Sequence, residues 1–369
     1  MAASPPFGLP RRVAWWLHAR PTVTRTPPVQ DLATAPQTTL LEVVDLSVKF
    51  RGQGGGVEAV SGVSFALARG RVVCLLGESG SGKSVTLRSI VRLNHGARTT
   101  GTILLDGQNV LAMSRRAIRD SRRGAAAMVF QEPMTALDPV YTIGAQIEET
   151  VRRHRSVNRI DARRRARELL DLVQIPSPER CLGAYPHEIS GGMRQRVMIA
   201  IALACEPKLL LADEPTTALD VTVQAQILWL LRDLQRRLGV GLIMVTHDLG
   251  VAAEIADDAL VMYAGRIVEQ APIERLFEHP VHPYTKGLMA ATVRRGQRGR
   301  PLVPIPGAPP NLAVLPPGCA FAPRCQRVAE ICHSVRPVLE QLDHDHHARC
   351  HLAVSRGTSI ASVASAAAG

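Results

Sequence analysis

Apolar positions change their period along this chain, and each change marks an architectural boundary. Val44, Leu46, Val48 and Phe50 alternate with polar residues, and Val63, Phe65 and Leu67 alternate in the same way. A period of two predicts two strands that each bury one face, joined through the glycine-rich run at residues 52–56. Four short continuous apolar runs follow: Val72 to Leu76, Met128 to Phe130, Leu209 to Ala212 and Leu242 to Val245. Unbroken runs of this length predict parallel strands covered on both faces by helices.

Helical periodicity fills the intervals at Gly82 to Leu93, Ile143 to Arg153, Asp161 to Val173, Gly191 to Ala204 and Val221 to Leu238. In the last of these, Val223, Ile227, Leu230, Leu231, Leu234 and Leu238 form one stripe, and Gly239 is placed to stop the helix. From about Pro133 to Ser190 the chain is mostly helical. Arg152, Arg153, Arg155, Arg163, Arg164, Arg165 and Arg167 give that stretch a basic face, read either as solvated surface or as a contact for lipid headgroups. The expectation is an α/β fold with a mixed sheet core, covering helices and a helical subdomain.

The boundaries expected are an extension at 1–39, a core domain at 40–270 with its helical subdomain at about 133–195, a C-terminal domain at 271–352 and a tail at 353–369. The extension is rich in Pro, Arg and Thr with Asp31 its one acid, and the tail is rich in Ala and Ser, so both are expected to be disordered. At 369 residues the chain can bury a full α/β core and carry one smaller appended unit. No apolar run reaches the roughly 18 residues that a membrane span needs, so the chain is expected to be soluble. The net charge of +12 raises nucleic acid or an anionic surface as partners. Only Lys49, Lys83, Lys208 and Lys286 are lysines, however, and the remaining 40 basic residues are arginines spread along the chain, which reads as general surface charge.

The sharpest chemistry lies at Gly77-Glu78-Ser79-Gly80-Ser81-Gly82-Lys83-Ser84, after a buried strand and before a helix. Glycines let backbone N–H groups turn toward phosphates, the helix N-terminus adds positive potential, Lys83 reaches the β and γ oxygens, and the Ser84 hydroxyl can ligate Mg²⁺. Leu209 to Ala212 leads into Asp213 and Glu214. An apolar strand holds two carboxylates in a dry place, where Asp213 can hold Mg²⁺ and Glu214 can polarise an attacking water. Gln131 and His247 each follow a predicted strand, and ligands of doubly wound sheets bind at those carboxyl ends.

With Ile189-Ser190-Gly191-Gly192-Met193-Arg194-Gln195-Arg196 added, the order of motifs resembles the ATPase subunit of an ATP-binding cassette (ABC) transporter from about Leu40 to Val268. The resemblance implies that Phe50 stacks on adenine, that Gln131 contacts Mg²⁺, and that Ser190, Gly191 and Gly192 are the signature that closes over ATP bound by a partner. It further implies that Thr217-Ala218-Leu219-Asp220 is the D-loop and that His247 steadies the γ-phosphate. Met193 stands where the family usually has Gln. Met262 to Glu269, His282-Pro283-Tyr284-Thr285, Ile305-Pro306-Gly307 and Cys319 to Cys325 narrow the resemblance to the oligopeptide/dipeptide and nickel importers.

Cys319, Cys325, Cys332 and Cys350 are separated by five, six and seventeen residues, without the tight CxxC pair of a zinc ribbon. The family resemblance implies a 4Fe-4S cluster there. Zn²⁺, with His333, His344, His346, His347 or His351 available, and unligated thiols stay open. Cys74, Cys181 and Cys205 read as buried thiols in a reducing compartment.

The family also implies transmembrane permease subunits, a second ATPase that is identical or homologous, an extracytoplasmic solute-binding protein and a peripheral place on the cytoplasmic face of the membrane. Import of di- or oligopeptides is the expected work, with nickel or another small solute as the alternative. A cassette acting on DNA or ribosomes fits less well. Only 58 residues separate Gln131 from Ser190, leaving no room for a long coiled coil, and the cassette occurs once, so no nucleic acid partner is expected. A regulatory subunit without turnover is opposed by the intact acids and His247.

Overall fold

The computed structural model describes residues 38–51, 56–114, 116–117, 124–132, 136–154, 157–217, 219–292 and 303–353. Residues 1–37 of the expected extension, residues 354–369 of the expected tail and most of the 52–56 turn lie outside the described residues.

The alternating N-terminal segments form β1 (Thr39–Phe50) and β2 (Val57–Ala68), which join β4 (Ala97–Leu105) and β5 (Gln108–Asn109) in an antiparallel sheet of order β2-β1-β4-β5. Leu41, Val43, Leu46 and Val48 are its buried face on β1, whereas Val44 is 43% exposed. The expected phase of Val44 is therefore corrected. Asp45 adopts a left-handed φ of 49°, and the pairing register jumps between Val43 and Leu46. One extra residue at such a bulge moves everything before it to the other face.

The second sheet has eight strands: β3 (Val72–Leu76), β6 (Ala126–Val129), β7 (Leu209–Asp213), β8 (Gly241–Thr246), β9 (Asp258–Tyr263), β10 (Arg266–Pro272), β11 (Glu340–Asp343) and β12 (His346–Ala348). Their order is β11-β12-β10-β9-β3-β8-β7-β6. β9, β3, β8, β7 and β6 run parallel, and β10, β12 and β11 extend the sheet antiparallel. The parallel strands are apolar on both faces because two cores meet across them. Val72, Cys74 and Leu76 face a core built with helices, and Val73 and Leu75 face the core beneath the antiparallel sheet. Each such fully buried aliphatic chain contributes about 1.5–3 kcal/mol by leaving water. The run expected to end at Phe130 ends one residue earlier, and Phe130 is 40% exposed.

Around this sheet lie α1 (Lys83–Ile90), α2 (Ile143–His154), α3 (Arg159–Leu172), α4 (Pro178–Gly183), α5 (Gly191–Leu203), α6 (Val221–Leu238) and α7 (Leu249–Ile255). On α6 the buried stripe is Ile227, Leu228, Leu230, Leu231 and Leu234, while Leu238 stands 46% exposed at the C-terminal end, where Gly239 caps the helix with φ 65°. In the helical subdomain Arg155 lies outside the described residues, and five of the other six arginines of the expected basic face meet acids. Arg153 pairs with Glu149, Arg163 with Glu148, Arg164 with Asp161, Arg165 with Glu168 and Glu206, and Arg167 with Glu179. The face is thus an ion-paired surface, with each exposed pair worth little by itself. Among the described residues no helix is long and apolar enough to cross a membrane.

The C-terminal stretch carries α8 (Ile273–Glu278), α9 (Pro283–Ala290) and α10 (Ile331–Ser334) and joins the sheet directly. Glu269 and Gln270 of β10 pair with Ala348 and His347 of β12. Glu269 is fully buried and accepts hydrogen bonds from the backbone N–H groups of Val281 and His282, and its Oε1 lies 2.8 Å from His346 Nε2. A buried carboxylate demands such a set of partners. Tyr263, Tyr284 and Phe321 pack ring against ring with centroids 4.6–5.5 Å apart, tying β9, α9 and the cysteine-bearing loop into one core.

Candidate functional site

The loop between β3 and α1 is held in shape by its glycines and its lysine. Gly82 has φ 102°, and a Cβ there would come 2.6 Å from the Ala59 carbonyl oxygen, so only glycine fits. Lys83 opens α1 and is buried, with Nζ donating to the carbonyl oxygens of Gly77 and Glu78, both at 2.8 Å. Burial pushes the Lys83 pKa down, and the nearby Glu214, Asp213 and Glu78 carboxylates oppose that shift. The ammonium therefore sits among acceptors that phosphate oxygens can replace.

Ser84 Oγ donates to Asp213 Oδ1 at 2.6 Å, and Arg88 reaches Asp213 Oδ2 at 3.2 Å. Asp213 ends β7 and is wholly buried. A serine hydroxyl and a carboxylate oxygen brought together at the lip of a phosphate loop are a hard-oxygen donor pair suited to Mg²⁺. Gln131 Nε2 donates to Glu214 Oε2 at 3.3 Å.

Glu214 is the meeting point of three strand ends. It follows β7 with a left-handed φ of 45°, a strained value for a non-glycine residue, and its N–H is bonded to the Val245 carbonyl of β8 at 3.1 Å. Its Oε2 also accepts from Thr217 Oγ1 at 2.9 Å and lies 3.3 Å from His247 Nδ1. Gln131 comes from the end of β6 and His247 from the end of β8, so the order β8-β7-β6 brings these residues together. Sequence reading found every member of this cluster except Thr217 as a direct partner of Glu214.

Ser190 caps α5 by accepting from the Met193 N–H at 3.4 Å, and Ser190 and Gly191 are exposed at the helix N-terminus. Met193 is half-buried and packs on the helical core. Gly192 presses against α6, where a Cβ would come 2.6 Å from Val223 Cγ1. Asp220 Oδ1 caps α6, accepting from the N–H groups of Thr222 and Val223 at 3.0 and 2.9 Å. Ala218 of the D-loop is outside the described residues. Phe50 is half-buried at the end of β1.

Two residues that sequence reading did not place in the site reach the loop from the C-terminal stretch. Tyr284 Oη accepts from the Glu78 N–H at 2.8 Å, and Arg324 forms a two-pronged ion pair with the Glu78 carboxylate at 2.7 and 3.1 Å. Their only sequence signal was membership of the HPYT and cysteine-flanked motifs.

Cys319, Cys325, Cys332 and Cys350 line one pocket together with His282 and His351. Burial pushes the thiols of Cys319, Cys325 and Cys350 up. Among the described residues no three His, Cys, Asp or Glu side chains are arranged to hold a metal ion. The thiols fit a metal or cluster by their chemistry and shared pocket, and fall short of it in arrangement.

Comparison with known proteins agrees with this geometry. The ABC transporter family matches residues 60–217, and the oligopeptide/dipeptide transporter C-terminal region matches residues 268–332. A probable peptide ABC transporter ATP-binding protein of Sinorhizobium fredii is 50% identical over 316 residues, covering 84% of this chain and 94% of the relative. A putative peptide import ATP-binding protein of Brucella melitensis biotype 1 is 50% identical over 325 residues, covering 84% and 96%. Among solved structures, the dimeric post-hydrolysis state of the ATP-binding cassette MJ0796 bound to ADP and Pi is 28% identical with a TM-score of 0.58, covering 63% of this chain and 98% of that one.

Proposed function

The chain belongs to the ABC transporter ATPases of the oligopeptide/dipeptide type and is an ATP-hydrolysing subunit of a peptide importer; on that premise we propose how its residues divide the work. The loop N–H groups of residues 77–84 and Lys83 bind the β- and γ-phosphates, and Phe50 stacks on adenine. Ser84, Asp213 and Gln131 would hold Mg²⁺, which when bound would supply charge to offset that of the phosphate oxygens. Glu214 takes a proton from the attacking water, while His247 orients that water and the γ-phosphate.

The observation that carries this reading is the convergence of Thr217, Gln131 and His247 on Glu214 Oε2. An acceptor oxygen reached from two neighbouring strand ends and from its own loop is held where a water beyond the γ-phosphate can be aimed. Ser190 and Gly191 are exposed on a different helix end with Gly192 half-buried beside them, and the three serve ATP bound by a second ATPase subunit, identical or homologous, with Asp220 at the same junction. The working assembly adds transmembrane permeases and a solute-binding protein and holds this chain on the cytoplasmic face of the membrane.

For the four cysteines, we infer a 4Fe-4S cluster, supported by their shared pocket. Iron, sulfide and absorbance near 400 nm in anaerobically purified protein test it, and zinc in their place would replace the cluster with Zn²⁺.

Transport is tested in liposomes carrying the permease pair and both ATPase subunits. Peptide-loaded binding protein should stimulate ATP hydrolysis severalfold and drive peptide uptake. Stimulation by a nickel-loaded binding protein alone would reassign the cargo, and hydrolysis indifferent to permease and cargo would overturn the import reading.

A further inference from the structure

Glu78 puts a negative charge inside a loop whose ligand is itself strongly negative. At a few ångströms a carboxylate and a phosphate repel each other appreciably even when partly screened. The structure supplies a counter-charge from far along the chain. Arg324 is 5% exposed, and its guanidinium faces both Glu78 oxygens while Nε donates to the Pro306 carbonyl at 2.8 Å and Nη1 to Tyr263 Oη at 3.4 Å. Its carbon centre lies 5.9 and 6.0 Å from the ring centroids of Tyr263 and Phe321. A fork fixed on every side in this way presents one orientation only, which an ammonium could not do.

Residue 78 is gripped at each of its polar groups. The carboxylate is taken by Arg324, the N–H by Tyr284 Oη and the carbonyl oxygen by Lys83 Nζ. Two of the three grips come from the C-terminal stretch, and the backbone of Arg324 is set by the short turn Ala322–Arg324 between Cys319 and Cys325. We propose that Arg324 is a positioning residue for ATP, cancelling the charge of Glu78 and fixing the loop so that the triphosphate can bind. The affinity of the nucleotide loop then depends on a segment that lies more than 200 positions away along the chain.

This inference rests on the reading that residues 77–84 bind phosphate, and a charge series separates the two. Dissociation constants for MgATP, MgADP and adenosine are measured on the full chain. Glu78→Gln leaves an unopposed guanidinium and should tighten ATP binding about two- to fivefold, whereas Arg324→Gln leaves an unopposed carboxylate and should weaken it about tenfold or more. The double variant Glu78→Gln/Arg324→Gln restores neutrality and should return near the parent value. The loss in Arg324→Gln should be larger for ATP than for ADP and absent for adenosine, a gradient that a merely loosened fold would not produce. It should appear in KM far more than in kcat.

If Arg324→Gln does not fold, Arg324→Lys carries the test. It keeps the charge but not the fixed fork, so ATP affinity should fall by no more than about fivefold with adenosine binding unchanged, and a tenfold loss there overturns charge compensation. Equal losses for ATP and adenosine, or a double variant as weak as Arg324→Gln, also overturn it. Loss of ATP binding in Lys83→Ala with a normal Arg324→Gln would sink this inference alone, while normal binding in Lys83→Ala would sink the phosphate-loop reading.

Discussion

Nδ1 of His247 lies 3.3 Å from Oε2 of Glu214, the oxygen that Thr217 and Gln131 also reach. The carboxylate is thereby oriented by groups from the ends of two neighbouring strands and by Thr217 of its own loop, so its position depends on the register of the sheet as well as on that loop.

Replacing Glu214 by Gln keeps the size and the hydrogen-bonding capacity and removes the proton acceptor. Hydrolysis is expected to fall by roughly a hundredfold or more while ATP binding is kept. Single-turnover measurement with bound ATP checks this, and near-parental turnover would remove Glu214 from the role of base.

Gly192→Ala places a methyl 2.6 Å from Val223 Cγ1. Val223 is β-branched on a helix and has little rotamer freedom with which to yield. A loss of about 1–3 kcal/mol is expected in chemical denaturation, and adding Val223→Ala should recover most of it. Failure of the second change to help would locate the strain elsewhere.

His282 is fully buried, and burial drives its pKa from 6.5 to about 4, with the Glu269 carboxylate opposing the shift. Its Nδ1 accepts from the Tyr284 N–H at 3.1 Å, and the Glu269–His346 pair packs beside it. The folded pKa lies below the unfolded one, so the contribution is full above about pH 6.5 and is lost as pH falls toward 4. By pH 5 the cost is about 2 kcal/mol. Denaturation midpoints at pH 7.5 and 5.0 should differ more in the parent than in His282→Asn, which keeps an acceptor and does not titrate; equal differences would contradict this.

Much of the fold was readable because its signals are local. The apolar runs of β3, β7 and β8 needed no knowledge of neighbours, and the phosphate loop carries its own glycines and lysine. The left-handed Asp45 was not readable, since nothing in its immediate sequence dictates a bulge. Arg324 and Tyr284 were visible as motif members, yet their contacts with Glu78 span 246 and 206 positions and exist only once β9, α9 and the cysteine loop share a core. The contact of Gln131 with Glu214 is likewise not legible locally, since it needs β6 and β7 side by side.

The pairing of β12 with β10 sets an order of events during synthesis. β10 leaves the ribosome complete while β12, near position 348, is still to be made. Until it arrives, the β10 edge offers unpaired N–H and C=O groups, and Glu269 lacks the His346 contact. The nascent cassette therefore passes through an interval in which β10, an interior strand of the finished sheet, is its edge, and that interval is where a chaperone or a mispaired strand would act.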